Sequence, residues 1–219
     1  GPNLGQVVSA PWARQLFIPH PGMVMVGADL EGLELRALGH YLAAFDEGAF
    51  ADVVVNGDIH TQNAERVGCS RSEVKSLVYG FIYGAGDVKL GHILHPELSD
   101  AQKKSLGTEL RRKFLDAIPG LEPLVNAVKA KVRSAGQLKA LDGRPIFCRA
   151  EHSSLNFLLQ SCGAILSKRW CVIGQDLLDE AGLAYDNDYT RCAYVHDEVQ
   201  LSVVPAEVER VKELLVAAA

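Results

Sequence analysis

Apolar positions fall into runs whose spacing dictates their elements. Residues 23–29 (MVMVGAD) read as a buried strand that delivers one carboxylate, Asp29, and turns at once into a helix. The helix stripe is Leu35, Leu38, Leu42 and Phe45. Asp58 reads as the N-cap of a helix running to about Arg66. Residues 71–84 have helical spacing, with Val74, Leu77, Val78 and Phe81 on the face to be buried. Two amphipathic helices, 99–115 and 121–133, are broken by Pro119-Gly120. Residues 138–141 and 146–149 predict a hairpin with a two-residue Asp142-Gly143 turn. From 153 to 180 the pattern is one long helix, closed near Gly182. Two β-rich runs, 190–195 and 199–204, flank the polar trio His196-Asp197-Glu198, and Pro205 opens a last helix with Val208, Val211, Leu215 and Ala218 on one side.

With 219 residues, 48% of them hydrophobic, the chain can bury a large core, which excludes a disordered chain. No apolar run approaches the roughly 18 residues of a membrane span, and no signal-peptide layout opens the chain. The five cysteines are odd in number and lack Cys-x2-Cys spacing, so they are expected to be reduced core residues of a cytosolic protein. A formal charge of −5 argues mildly against a nucleic-acid partner. The count, however, includes acids that a bound cation would offset, and local patches matter more than the sum.

Three stretches carry candidate chemistry. Asp29 at a strand end and Asp197 at a hairpin tip together suit a hard divalent cation. Taken singly, Asp29 is more ordinarily a helix N-cap and Asp197 an exposed turn residue. Arg71, Lys75, Tyr79 and Tyr83 are spaced by four and share one helix face. Cations there suit triphosphate oxygens and aromatic rings suit a base or sugar. A plain solvated Lys/Arg face does not account for the two tyrosines.

These residues resemble the three polymerase motifs of family A (DNA polymerase I-like) DNA polymerases. Asp29 with Gly32-Leu33-Glu34-Leu35-Arg36 resembles the first, the Arg71-x3-Lys75-x3-Tyr79-Gly80-x2-Tyr83-Gly84 helix the second, and Val195-His196-Asp197-Glu198 the third. Asn3–Gln6, residues 14–19 and Leu141-Asp142-Gly143-Arg144 are also family-like. The Gly-Leu-Glu-Leu-Arg form, Tyr83-Gly-Ala-Gly86 and His152 are most similar to the phage replicative branch.

The resemblance implies site roles. Asp29, Asp197 and the Leu30 carbonyl would hold two Mg²⁺ ions, with Mn²⁺ as an alternative; Glu198 and His196 would support that site. Arg71, Lys75 and His60 would take the triphosphate, with Lys75 also catalytic. Glu34 would exclude a ribose 2′-OH, Tyr79 would lie at the nucleotide sugar and imply acceptance of dideoxynucleotides, and Tyr83 would guard the template position. Asn156, Gln160, His196, Arg36 and Gly84 would meet primer–template DNA. Without the resemblance, His60 reads as structural, Glu34 and Arg36 as a solvated face, and Asn156 with Gln160 as an internal amide pair. Gly80 and Gly84 would admit a template base or a neighbouring backbone. Glu31 departs from the family's usual Ser, adding an acid that alters metal affinity or points to solvent.

The expected fold is α+β: an antiparallel palm sheet with a helical fingers subdomain, a right-hand polymerase core without thumb or exonuclease. Residues 1–57 and 136–219 would be palm and 58–135 fingers. The expected activity is DNA-directed DNA polymerase in replication, with primer–template DNA and dNTPs as partners and a cytoplasmic location, in the host if phage-encoded. Other readings stay open: a split-polymerase subunit needing a separate thumb or exonuclease chain or a processivity factor, a non-catalytic interaction module, and a single-subunit RNA polymerase.

Overall fold

The computed structural model describes residues 10–219; the family-like Asn3–Gln6 lies outside them. In chain order the elements are α1 (Pro11–Arg14), β1 (Val24–Asp29), α2 (Leu33–Asp46), α3 (Ala49–Asn56), α4 (Ile59–Val67), α5 (Arg71–Ile82), α6 (Asp87–Leu94) and α7 (Asp100–Ala117). There follow α8 (Leu121–Ala135), β2 (Gln137–Lys139), β3 (Pro145–Phe147), α9 (Ser154–Glu180), β4 (Tyr189–Val195), β5 (Glu198–Val203) and α10 (Val208–Ala217). They form two compact units, one built from the chain up to Leu33 with Gly163–Ala219, the other from Glu34–Cys162. The chain passes from one to the other inside α2 and inside α9. Among the described residues no helix is long and apolar enough to cross a membrane.

The first unit holds an antiparallel sheet of order β1-β5-β4. In the central strand β5, Val199, Leu201 and Val203 alternate inward and are fully buried, packing with Val26, Trp170, Leu178, Tyr189, Val211 and Leu215. Trp170 donates its indole N–H to the Leu215 carbonyl at 2.9 Å, tying α9 to α10. The expectation of a buried first strand is corrected. β1 pairs only with β5 among the described strands, and along it only Val26 is fully buried while Val24, at its start on the same face, is 42% exposed. The final helix also starts later, since Pro205–Glu207 is a 3₁₀ turn before α10.

The second unit is helical apart from the β2–β3 hairpin. Its core gathers Leu38 and Leu42 from α2, Val74, Val78 and Ile82 from α5, and Leu121 from α8, each at most 1% exposed. Phe45, placed on the buried stripe by its spacing, is 43% exposed. It sits in the last turn of α2, with its Cβ and main chain beside Gly120. Two helices carry no strong periodic signal: α3 starts after the left-handed pair Glu47-Gly48 and the Asp46 carboxylate, which accepts from the Gly48 and Phe50 N–H groups, and α6 is eight residues long. α6 and α7 cross with almost nothing between them: a Cβ on Gly91 would lie 2.0 Å from the Lys103 carbonyl oxygen, and one on Gly107 1.8 Å from that of Asp87.

The hairpin turn is longer than two residues. Ala140 pairs with Arg144, and Leu141-Asp142-Gly143 form a three-residue loop with Gly143 at φ +87°. All five cysteines are free, yet only Cys162 is fully buried. Cys192 is exposed, because the β4–β5 register shifts between Arg191 and Ala193 and leaves it on a bulge.

Candidate active site

One group of candidate residues lies at an end of the sheet. β1 ends on Asp29, whose cross-strand partner is Glu198, and Glu198 in turn pairs with Val195 of β4. His196 and Asp197 are the two-residue turn between β4 and β5, His196 with a positive φ of 56°. That conformation costs a non-glycine residue about 1 kcal/mol and is held by the ladders on either side. The Leu30 N–H donates to the Asp197 carbonyl at 3.1 Å, extending the β1–β5 ladder past Asp29. Backbone pairing thus brings Asp29, Leu30, His196, Asp197 and Glu198 to one sheet end. α2 begins at Leu33, so its capping position falls to Gly32 and not to Asp29. Among the described residues no three His, Cys, Asp or Glu side chains cluster as a metal cage. Two carboxylates with main-chain oxygens instead suit a hard cation that keeps part of its shell for water or phosphate.

Glu198 has a neighbour that no motif predicts. The Gln200 side-chain N–H donates to the Glu198 carboxylate, and Gln200 lies opposite Gly27 of β1. A Cβ at Gly27 would come within 2.7 Å of the Gln200 amide nitrogen, so the missing side chain makes room for it. The signal was present as an isolated glycine inside a strand pattern.

A second group lies on α4 and α5. Val74, Leu77, Val78, Phe81 and Ile82 are buried, which turns Arg71, Lys75 and Tyr79 outward. Tyr83 follows as the helix C-cap, and Ser70 with Glu73 closes a capping box at the other end. Arg71 is engaged: its Nε–H donates to Asp58 Oδ2 at 2.9 Å and an Nη2–H to Oδ1 at 3.4 Å. Asp58 is also the α4 N-cap, accepting from the His60 and Thr61 N–H groups. Arg71 above all, then Thr61, holds its carboxyl well below the usual carboxylate range.

The Nδ1 of the half-buried His60 ring has no hydrogen-bond partner among the described residues. Burial first, then the Arg71 and Lys75 cations, push its pKa below the usual histidine value, so it is neutral at pH 7. Tyr79 lies between His60 and Tyr83, with ring centroids 6.3 and 6.1 Å away.

Tyr83 donates its hydroxyl to Glu34 Oε1 at 2.9 Å, and Gln160 donates to the same oxygen at 3.4 Å. Burial, then the Glu34 charge, raise the Tyr83 pKa and keep that proton in place. Gln160 therefore pairs with Glu34, and the Asn156–Gln160 pair of the bland reading is absent from the described bonds. Asn156 keeps a buried Oδ1 without a hydrogen-bond partner among the described residues. Of the two glycines, Gly84 (φ +75°) faces the His152 carbonyl, 3.1 Å from where a Cβ would sit, whereas Gly80 is packed by Ile93 and Leu90 side chains. Arg36 lies exposed on α2. Much of the basic surface on α7 and α8 is answered locally: Arg112 by Asp116, Lys113 by Glu109, Arg133 by Glu151, and Arg111 by Asp87 and the Ala85 carbonyl.

The family model described as DNA polymerase family A matches residues 2–219. The chain belongs to DNA polymerase family A. Similar members include the DNA-directed DNA polymerase of Escherichia phage T7, 35% identical over 96% of this chain and 33% of that protein. That of Escherichia phage Phieco32 is 31% identical over 92% and 36%. Among solved structures, the POL domain of Pol1 from M. smegmatis, in complex with DNA primer-template and dNTP, matches 99% of this chain and 41% of that one, with a TM-score of 0.78 and 19% identity. The α+β fold is thus that of a family A polymerase domain. The chain spans about a third of the length of these two phage relatives.

Proposed function

We propose that this chain is the template-directed core of a DNA polymerase, adding dNTPs to a primer 3′-OH in replication. The observation that carries the reading is the backbone pairing that brings Asp29 and Asp197 to one sheet end through the Leu30–Asp197 bond. On this reading residues 1–57 and 136–219 serve as palm and 58–135 as fingers. The 3′-oxygen attacks the α-phosphorus, the Pα–O bond to pyrophosphate breaks, and the 3′-OH proton leaves to solvent.

Asp29, Asp197 and the Leu30 carbonyl would hold two divalent cations, Mg²⁺ or Mn²⁺, which when bound supply Lewis-acid activation and charge neutralisation. Glu198 and His196 flank that edge. Arg71 and Lys75 neutralise triphosphate oxygens, and Lys75 gives a proton to the departing pyrophosphate. Neutral His60 donates a hydrogen bond to the triphosphate without adding a third full charge. Tyr79 stands at the sugar. Glu34, fixed by the Tyr83 hydroxyl and Gln160, leaves no room for a ribose 2′-OH. Tyr83 guards the template position beside Gly84. Arg36 takes a DNA phosphate, while Asn156 and Gln160 donate toward minor-groove acceptors that recur at every base pair. On this reading the chain works where its template is, in the cytoplasm, that of the host if it is phage-encoded.

The test is single-nucleotide primer extension with Mg²⁺ and dNTPs at high enzyme and low salt. The wild type is expected to extend and Asp197→Ala to lose extension; equal extension by both overturns the site. A second reading is that of a split polymerase. There the same core extends primers only when a thumb or exonuclease chain, or a processivity factor, is supplied; a folded wild type that is active solely with such a partner selects it.

A further inference from the structure

The Arg71–Asp58 pair is half-exposed on both sides, 59% and 46%, and such surface pairs add little to stability. Its geometry is nevertheless tightly determined. Asp58 Oδ1 accepts from the His60 and Thr61 main-chain N–H groups, at 3.1 and 3.2 Å. Oδ2 accepts from the Thr61 hydroxyl and the Arg71 Nε–H, both at 2.9 Å. The carboxylate therefore cannot rotate toward or away from Arg71 without uncapping α4. On the arginine, Asp58 occupies Nε and one Nη2 proton. A guanidinium has five N–H donors in a rigid fork, so the outer edge is left to grip a phosphate bidentately. The same carboxylate that aims Arg71 also fixes the main chain at His60.

We propose that Asp58 is a positioning residue for the incoming nucleotide: through Arg71 it sets the angle at which the guanidinium meets the triphosphate, and through the α4 cap it registers His60 against the same anion. This rests on the reading of the α4–α5 face as the nucleotide site. Asp58 touches no substrate itself. Its charge holds the fork in the nucleotide-free protein, so binding does not have to order a long flexible side chain.

The experiment is isothermal titration of the full 219-residue chain with an α,β-imido dATP and Mg²⁺, for the wild type, Arg71→Ala, Asp58→Asn and the double variant. Asn is as good an N-cap as Asp, so Asp58→Asn is expected to melt within about 2 °C of the wild type. It is expected to weaken binding roughly fivefold, on the scale of one ordinary hydrogen bond. Arg71→Ala should weaken it about tenfold or more, and the double variant should bind no worse than Arg71→Ala. Wild-type affinity in Asp58→Asn overturns the proposal and makes Asp58 a helix cap and nothing else; an additive loss in the double variant overturns it too, because Asp58 would then act independently of Arg71. Undiminished binding by Arg71→Ala, or no binding by the wild type, overturns the nucleotide reading of this face and the proposal with it.

Discussion

The acidic sheet end and the cationic helix face are held by different means. At the sheet end the backbone does the positioning: strand register and the Leu30–Asp197 bond fix where each aspartate starts, and one short side chain carries the carboxylate from there. On α4 and α5 the backbone sets only a face. Arg71, Tyr83 and Glu34 owe their final positions to other side chains, Asp58 and Gln160 among them. Main-chain register thus sets where the two aspartates start, whereas Arg71 is held by a side-chain contact that a ligand can exchange.

The sharpest way to break this contrast is to change length without changing charge. Asp29→Glu adds one methylene to a carboxylate whose base cannot move, and primer extension is expected to fall about 10²-fold, as misplacements near 1 Å do at reacting centres. Lys75→Arg, on a long stem over an exposed face, is expected to lose roughly tenfold at most. Equal losses in the two variants would end the distinction.

A smaller effect tests the strand side from behind. Gly27→Ala puts a methyl group against the Gln200 amide, whose flexible end can swing away. The melting temperature is expected to shift by less than about 2 °C, while extension falls several-fold because Glu198 loses its partner. A large drop in melting temperature would mean that the strand itself gave way.

The smallest concerns His60. Its folded pKa lies below the unfolded value of about 6.5, so the unfolded chain binds the extra proton first. The neutral form's contribution is complete above about pH 6.5 and is lost as pH falls through the folded pKa. Urea denaturation at pH 7.5 and 5.5 is expected to show a smaller acid-side loss of stability in His60→Gln than in the wild type. Equal losses would place the ring's environment outside this balance.

Much of this was legible from local pattern. Helical spacing carried the outward Arg71, Lys75 and Tyr79 with the buried Val74 and Val78, and the polar trio between two β-rich runs carried the hairpin at Asp197. The family resemblance carried the α+β architecture. What failed to show depends on partners distant in the chain. The exposed edge of β1 follows from its place in the sheet order, and Phe45 lost its burial because α2 stops there. The Asp58–Arg71 bond spans thirteen residues of sequence, and the Gln200–Gly27 fit crosses two strands. No periodicity encodes such pairs, although a glycine inside a strand marks where to look.

The crossing of α6 and α7 has a mechanical consequence. Where Gly91 and Gly107 meet main-chain carbonyls, no side chain lies between the helices to act as a bearing. Rotamer changes that let packed helices creep past one another are therefore absent at this seam, and shear between the two would have to break backbone packing. The pair behaves as a single strut. Arg111, bonded to the Ala85 carbonyl at 2.6 Å, fastens that strut to the segment just beyond Tyr83 and Gly84, so a load applied there is carried along the strut rather than absorbed in the loop.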